Sequence, residues 1–300
     1  MREFPTEPSH TSFVEPPGGW KSFVATTWEQ RSAYFPNCIA SPLIDLDRAF
    51  RAVVNAGDAE LRGSMKQALD KQRVRFYLEH AAISRDLSQY LPHATDKSLP
   101  GYYDRVTRLL NGRDFTLVVN DVQAYDFELW TRMRAFLSEL YSYVGLPLYA
   151  EATLYLSRSR TTAVGIHKDP VSNFLFQLTG TKRFRMWPSR LIKSTPDLIR
   201  TSAFDSIANE AITVDVKPAD LLYIPSDYFH LAEANQEFSV HLSVLIGTDA
   251  QAGYIHAVRL FSRTIRRRIS AIEFPPFLKL DQNRPNGAKL DLPASFESLV

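Results

Sequence analysis

Residues 167–184 read HKDPVSNFLFQLTGTKRF, and both the fold and the candidate site depend on this stretch. His167 and Asp169 stand two positions apart, so on a β-strand their side chains point to the same face. The apolar run NFLFQL and the segment KRFRMW then flank a Thr-Gly-Thr turn, which predicts a β-hairpin. The stretch therefore predicts a polar pair at the entrance to a hairpin whose second strand starts with a cation, Lys182.

A neutral imidazole and a carboxylate on one face supply two ligands of a mononuclear metal site. We expect the third from a neighbouring strand, and His230 in KPADLLYIPSDYFHLAE is the candidate, because it follows an apolar strand and a short aromatic turn. Two histidines and one carboxylate leave half of the metal open, which is typical of non-haem Fe(II) oxygenases. Zinc accepts the same ligand types, but more often at other spacings such as HExxH. Taken alone, the H-x-D spacing equally fits a surface pair at a strand end.

Lys182 has two interpretations. Strand alternation places Lys182, Phe184 and Met186 on one face, and Asn173, Leu175 and Gln177 share a face of the preceding strand. If both faces line one barrel, the lysine is a cation in an apolar pocket and needs an anion, such as a co-substrate carboxylate. In the alternative, Lys182 points to solvent, and Arg183 and Arg185 point inward.

Composition bounds the class of protein. With 300 residues and 45% hydrophobic content, the chain can bury a large core. Its 35 basic and 33 acidic residues nearly balance, which argues against nucleic acid or an anionic membrane as partner. The single cysteine, Cys38, favours a reducing compartment. The first residues lack a signal-peptide pattern, and no apolar run approaches the roughly 20 residues of a membrane span. We expect a cytoplasmic protein with no membrane partner.

Helical patterns precede the strands. IDLDRAFRAVVNAG predicts a helix that starts near Asp45 or Asp47 and stops at Gly57, and FELWTRMRAFLSELYSYVG predicts one that ends at Gly145. FTLVVNDV, residues 115–122, predicts a buried strand. From residue 148 onward, several short strands separated by Pro, Gly, Asn or Asp predict an antiparallel sandwich or barrel.

The C-terminal segment YIHAVRLFSRTIRRRISAI predicts a further helix with five arginines between Arg259 and Arg268. A solvated helix face is the default interpretation of this basic segment, and an anionic partner such as RNA or an acidic peptide is the alternative. The apolar positions of the helix fit packing on the barrel, and they fit a homodimer seam equally well.

HKDPVSNFLFQLTGTKRFRMWPS and PADLLYIPSDYFH together resemble the JmjC and cupin-like Fe(II)/2-oxoglutarate oxygenases. This family includes the hypoxia-inducible-factor asparaginyl hydroxylase and bacterial cupin-type ribosomal oxygenases. Its members share H-x-D, an apolar strand and Gly-x-Lys or Gly-x-Arg, and then an acid, an apolar strand, Pro, an aromatic turn and His. The resemblance implies a mainly β protein with flanking helices, built on a double-stranded β-helix (jelly-roll) core.

The resemblance also implies a division of the chain. Residues 1–110 form an extended arm and a helical region that packs on the barrel. Residues 111–250 form the catalytic double-stranded β-helix. Residues 251–300 form a C-terminal helix and tail, which is where a dimer contact would lie.

Carried over by position, the resemblance makes His167, Asp169 and His230 the Fe(II) ligands. Lys182 binds the distal carboxylate of 2-oxoglutarate, and Asn173 lines the co-substrate pocket. One position departs from the asparaginyl hydroxylase, because Val164 stands where that enzyme has a co-substrate-binding threonine; Thr161 and Thr162 are the substitutes within reach.

Three more residues are expected around the pocket. The resemblance places His241 on the last strand, facing the metal chamber, although a hydrogen-bonded core histidine is an equal interpretation. Tyr155 and Thr153, on the strand before the ligand pair, are further pocket candidates.

The implied activity is a dioxygenase that uses Fe(II), 2-oxoglutarate and dioxygen to hydroxylate an unactivated C–H bond. The first-choice substrate is an amino-acid side chain in a protein or peptide. A small metabolite or carrier-bound intermediate of natural-product synthesis stays open as the substrate. A redox-inactive cupin that binds a small ligand is the alternative of another class, and loss of a metal ligand would be its signature. A metal-dependent isomerase or hydrolase usually has more ligand histidines and lacks the Lys182 feature.

Overall fold

The computed structural model describes residues 16–62, 73–145, 147, 149–159, 165–192, 207–234 and 237–248. Its strands are β1 (Ala33–Phe35), β2 (Val74–Leu78), β3 (Ala81–Ile83), β4 (Phe115–Val119), β5 (Tyr149–Arg158), β6 (His167–Lys168), β7 (Ser172–Thr179), β8 (Lys182–Pro188), β9 (Ile212–Val216), β10 (Leu221–Ile224), β11 (Tyr228–Glu233) and β12 (Ser239–Gly247). Its α-helices are α1 (Gly19–Thr26), α2 (Leu46–Leu61), α3 (Leu99–Leu109), α4 (Phe127–Val144) and the short α5 (Ser189–Ile192).

Two antiparallel sheets form the core. The large sheet has eight strands in the order β1-β10-β7-β12-β5-β4-β2-β3, and the small sheet has four in the order β6-β11-β8-β9. From β5 to β12, consecutive strands alternate between the sheets in the pattern of a jelly roll, except that β8 and β9 both lie in the small sheet. The predicted mainly β fold with a double-stranded β-helix core is confirmed. The predicted C-terminal helix lies outside the described residues.

The first part of the chain widens the large sheet at both edges. β1 pairs with β10 at one edge, while β2 and β3 extend the other edge beyond β4. These strands come from the region expected to be an arm and helices, so residues 16–110 contribute sheet as well as helix. Within the described residues, no helix is both long and apolar enough to cross a membrane.

Two helices show clear end signals. Asp126 caps α4 by accepting a hydrogen bond from Leu129 N–H at 2.7 Å, and Gly145 ends the helix with a φ of 84°, as predicted. Asp45 caps α2 through Arg48 N–H. The predicted stop at Gly57 is wrong, because α2 continues to Leu61.

A buried glycine lies inside α2 at its contact with the chain that follows β3. A β-carbon at Gly57 would meet the Leu91 side chain at 3.4 Å, an ordinary van der Waals contact. Gly57 therefore packs within the helix and does not end it.

The main core lies between the helices and the outer face of the large sheet. Phe174 on β7 is fully buried and touches Trp20 and Phe23 of α1 and Phe136 of α4 at ring-centroid distances of 5.3–5.9 Å. A second apolar cluster closes the interior between the two sheets: Leu175, Phe184, Met186, Val216, Leu222, Ile224, Tyr228 and Ala232. The site occupies the remaining part of that interior.

Candidate metal and co-substrate site

The structure brings His167, Asp169 and His230 together. His167 is on β6, Asp169 follows that strand directly, and His230 on β11 is the antiparallel partner of His167. Their ligand atoms lie within 4.8 Å of one another, and the two imidazole centroids are 4.3 Å apart. His230 was expected after an aromatic turn, and the structure places it in β11, the strand that follows this turn.

The distances suit a single ion. Asp169 Oδ1 is 4.0 Å from His167 Nε2, and Asp169 Oδ2 is 3.7 Å from His230 Nε2. Two donors that each lie about 2.1 Å from one metal are at most about 4.2 Å apart. Both distances fall inside that limit, but ligands at right angles on one metal are about 3.0 Å apart, so the side chains must approach one another by about 1 Å to hold an ion in a facial arrangement.

Each histidine offers a free nitrogen lone pair. His167 Nδ1 lies 3.0 Å from the carbonyl oxygen of Gly165, which can only accept, so Nδ1 carries the proton and Nε2 is free. Gly165 has a φ of 71°, a left-handed conformation that glycine adopts without strain. His230 is buried, and burial, assisted by the neighbouring His167, holds its pKa well below the ordinary value. It is therefore neutral near pH 7.

Lys182 points into the interior of the barrel. Its side chain is 1% exposed, while Arg183 and Arg185 on the same strand reach outward to Asp215 and Glu233. The alternative with Lys182 in solvent is therefore excluded. Its Nζ donates to Ser157 Oγ at 2.9 Å and lies 3.4 Å from His241 Nδ1.

Lys182 is a buried cation with neutral partners. Burial lowers its pKa from 10.5 to about 7, and no carboxylate offsets that shift among the residues that the structure describes. A buried ammonium is costly unless an anion meets it. An anionic ligand would return the lysine to its charged form.

His241 lies beside Lys182 and lines the same pocket as the metal triad. It lies on β12 and is stacked on Tyr155 of β5, with ring centroids 4.6 Å apart and planes 4° from parallel. Burial, then the charge of Lys182, lowers the pKa of His241 well below its ordinary value. Burial also raises the pKa of the Tyr155 hydroxyl, with a smaller contribution from Asp169. Both rings are therefore neutral near pH 7.

The remaining expected residues divide into two groups. Asn173 lines the pocket; its Nδ2 donates to Ser243 Oγ at 3.4 Å, and its buried Oδ1 has no hydrogen-bond partner among the described residues. Thr153 shares the face of Tyr155, but its hydroxyl donates to Glu151 at 3.0 Å, and it does not line the pocket. Thr161, Thr162 and Val164 lie outside the described residues, as does the basic segment of residues 259–268.

The pocket continues along the large sheet. One row of cross-strand partners runs from His241 through Tyr155 and Val118 to Arg75. Thr116 and Tyr77 are close to this row in the pairing of β2 and β4, and together with Val118 they line the pocket.

Sequence reasoning missed this flank. The run FTLVVNDV is apolar on both sides of the strand, so its pattern gave no indication of which residues face the pocket. Ser157, the partner of Lys182, was missed as well, although strand alternation places it on the face of Tyr155 and Thr153.

A family model supports this arrangement. Residues 124–253 match the model of the JmjC domain, and the match contains every expected site residue.

Curated relatives that are similar in sequence are named as oxygenases or hydroxylases. Ribosomal oxygenase 2 of Mus musculus is 27% identical over 131 residues, which cover 43% of this chain and 26% of the relative. Ribosomal oxygenase 1 of Homo sapiens is 26% identical over 127 residues, covering 41% and 19%. A bifunctional lysine-specific demethylase and histidyl-hydroxylase, NO66 of Caenorhabditis elegans, is 25% identical over 130 residues, covering 42% and 17%. The chain thus spans about a quarter or less of the curated relatives it matches.

Among solved structures, YcfD, a ribosomal oxygenase from Escherichia coli in complex with cobalt and 2-oxoglutarate, aligns with a TM-score of 0.49 at 17% identity. The alignment covers 93% of this chain and 64% of that one. A second YcfD structure, in complex with cobalt and succinic acid, gives a TM-score of 0.48 at 17% identity, with coverage of 93% and 64%.

Proposed function

Because residues 124–253 of this chain match the model of the JmjC domain, we propose that it is an Fe(II)- and 2-oxoglutarate-dependent dioxygenase. The reaction is hydroxylation of an unactivated C–H bond. One observation carries the proposal: two histidines and an aspartate converge on one point, and a buried lysine without a carboxylate partner among the described residues lies in the same barrel interior.

The metal ligands are His167, Asp169 and His230. Two imidazole nitrogens and one carboxylate oxygen are the ligand set of the facial triad, which leaves positions on the metal free for a co-substrate and dioxygen. When bound, Fe(II) with 2-oxoglutarate supplies the oxidising chemistry that the side chains themselves lack. The ligands hold it at the pocket entrance, with His167 fixed in one tautomer by Gly165.

Lys182 binds the far carboxylate of 2-oxoglutarate. An ammonium group paired with a carboxylate in a dry pocket makes a strong, charge-assisted hydrogen bond. Ser157 and His241 hold the lysine in place from the large sheet, and Asn173 offers a free amide oxygen beside the path between lysine and metal. His241 and Tyr155 are neutral, so they add no further charge to the pocket.

The substrate is an amino-acid side chain in a protein or peptide. In support, the pocket that contains the metal ligands is also lined by Tyr77, Thr116 and Val118, which would contact a side chain placed beside the metal. Ribosomal oxygenases and a histidyl-hydroxylase among the relatives point to the same class. A small metabolite or a carrier-bound intermediate is the second candidate substrate.

Localisation and assembly follow from the sequence. A single cysteine and the near-balance of charges favour the cytoplasm and argue against nucleic acid as a partner. A homodimer would form through residues 251–300, whose helical pattern has a continuous apolar side.

The first test is anaerobic. Fe(II) and 2-oxoglutarate are added to the purified apo-protein, and the weak visible charge-transfer band of the chelate is recorded. We expect the band in the wild type. In Lys182→Ala the 2-oxoglutarate concentration needed for half-maximal absorbance should rise about 100-fold, the equivalent of one or two charge-assisted hydrogen bonds.

Lys217→Ala is the matched control, because Lys217 is exposed on the same side of the barrel. It should titrate like the wild type. Iron binding without any band would remove the oxygenase proposal and favour the redox-inactive cupin.

A further inference from the structure

Glu29 connects the two segments that carry the metal ligands. Its Oε1 accepts a hydrogen bond from Ser172 Oγ at 2.5 Å, and its Oε2 accepts one from Ser226 Oγ at 2.7 Å. These serines are 143 and 197 residues away in sequence. One carboxylate therefore bridges two distant parts of the chain.

The two serines flank the metal ligands. Ser172 begins β7, three positions after Asp169. Ser226 lies in the turn between β10 and β11, four positions before His230. A shift of either segment changes the distance between Asp169 Oδ2 and His230 Nε2, which is 3.7 Å.

Glu29 is itself held firmly. The adjacent Trp28 is 8% exposed and stacks on Phe174 and Tyr223, with ring centroids 6.1 and 5.6 Å away. The backbone N–H of Glu29 donates to Tyr223 Oη at 2.9 Å. Glu29 also has a φ of 53°, so its backbone is in the left-handed region. A residue in this conformation persists only where its surroundings fix it.

The carboxylate also completes a hydrogen-bond chain. Ser172 Oγ is 2.8 Å from Tyr223 Oη, and both side chains are fully buried. With the Glu29 carboxylate as the acceptor, the Ser172 hydroxyl donates to it and can accept from Tyr223. Removing the carboxylate leaves a buried hydroxyl without its acceptor, and the start of β7 must rearrange.

We propose that Glu29 is a positioning residue for the metal site, which clamps the segment after Asp169 to the segment before His230. The inference rests on the proposed function, since it assigns those residues as ligands. It predicts that a residue outside the JmjC match sets how tightly the site holds a divalent ion.

Titration of the apo-protein, residues 1–300, with Co(II), followed by its visible absorption bands, tests the clamp. Glu29→Ala should raise the Co(II) dissociation constant about tenfold, at the lower end of the effects seen when groups supporting metal ligands are removed. The double variant Ser172→Ala/Ser226→Ala should raise it by a similar factor. Adding Glu29→Ala to that pair should then have almost no further effect, because the three residues act as one unit.

Glu128→Ala is the matched control for the loss of a bridging carboxylate. Glu128 contacts Arg48 and Arg132 on the helical side of the molecule, so the variant should lose some stability and keep the wild-type Co(II) affinity. Glu29→Gln and Ser226→Ala serve if Glu29→Ala does not fold; each retains part of the clamp and should weaken Co(II) binding by a few fold.

The outcomes separate the two proposals. A wild-type protein that does not bind Co(II) contradicts the metal-site assignment itself. Wild-type binding with unchanged affinity in folded Glu29 variants overturns the clamp alone. The clamp is also overturned if Glu128→Ala weakens Co(II) binding as much as the Glu29 substitutions do.

Discussion

The small and large sheets face each other across the pocket and contribute different things to it. From the small sheet come His167 and His230 on its strands and Asp169 directly after one of them. The same sheet carries Lys182, which does not line the pocket but lies behind it, next to His241. The large-sheet residues that line the pocket are uncharged or, like His241, neutral near pH 7.

The backs of the two sheets differ as well. The outer face of the large sheet packs on helices through an aromatic core, whereas β8 of the small sheet carries the ion pairs Arg183–Asp215 and Arg185–Glu233 on its outer side. Arg183–Asp215 is exposed, and an exposed ion pair contributes little to stability. The large sheet therefore provides the stable frame, and the small sheet provides the reactive groups. Substitutions in the large sheet should mainly lower stability, and substitutions in the small sheet should mainly weaken ligand binding.

The largest expected effect is on the small sheet. Asp169→Ala removes the only carboxylate of the triad, and metal affinity should fall more than about 100-fold, because even supporting groups cost ten- to 100-fold. Substrate-dependent succinate formation should disappear with it. Co(II) titration and a succinate assay measure both. Asp215→Ala, on the outer side of the same sheet, is the control, and equal losses in the two variants would contradict the ligand assignment.

A substitution in the buried core of the large sheet should lower the stability of the protein. Phe115→Ala on β4 empties a fully buried site surrounded by Phe76, Tyr102 and Tyr103, and the free energy of unfolding should fall by about 3–5 kcal/mol. Urea denaturation measures the change. Co(II) affinity below the unfolding transition should stay within about threefold of the wild type. Ile212→Ala, at an exposed position of β9, should cost far less.

Lys182 gives a pH-dependent prediction. Its pKa is about 7 in the folded protein and near 10.5 when unfolded, so between those values the unfolded chain holds the extra proton. Wild-type stability therefore gains up to about 1.4 kcal/mol per pH unit across this window, relative to Lys182→Met. Below pH 7 the full cost of the buried charge is present, and the variant should be the more stable protein.

Denaturant unfolding of both proteins at pH 6 to 10, without metal or 2-oxoglutarate, measures the difference. A constant gap across the range would mean that the lysine does not lose its proton on folding.

The smallest effect concerns Thr153. Because its hydroxyl is bonded to Glu151 and does not line the pocket, Thr153→Val should cost about 1 kcal/mol of stability. Its 2-oxoglutarate affinity should change less than about twofold. A loss of affinity comparable to that of Lys182→Ala would instead place Thr153 in the co-substrate site.

Much of the fold could be predicted because its signals are local. Alternation along KRFRMW separates Lys182 from Arg183 and Arg185, although it left open which side points inward, and Asp126 and Gly145 mark both ends of α4. His230 could be named as a ligand candidate because a Pro and an aromatic turn mark the start of its strand.

The rest depends on contacts between distant residues. Thr116 and Val118 line the pocket only because β4 pairs with β5, and their own strand shows no polar side. Glu29 resembles any exposed acid in sequence; its serine partners become visible only when the folded chain brings three segments together. Gly57 suggested a helix end because glycine often follows the last residue of a helix. Its contact with Leu91, which is remote from it in sequence, becomes visible only in the folded chain.

The pairing of His167 with His230 has a consequence for how the protein folds. β6 can meet β11 only after the strands between them have been placed in both sheets. Contacts between residues far apart in sequence form slowly, because the entropy of closing the loop is lost before the contact contributes. The ligands therefore come together late, and a partly folded chain has no complete triad. Tight metal uptake during refolding should follow the recovery of the two sheets.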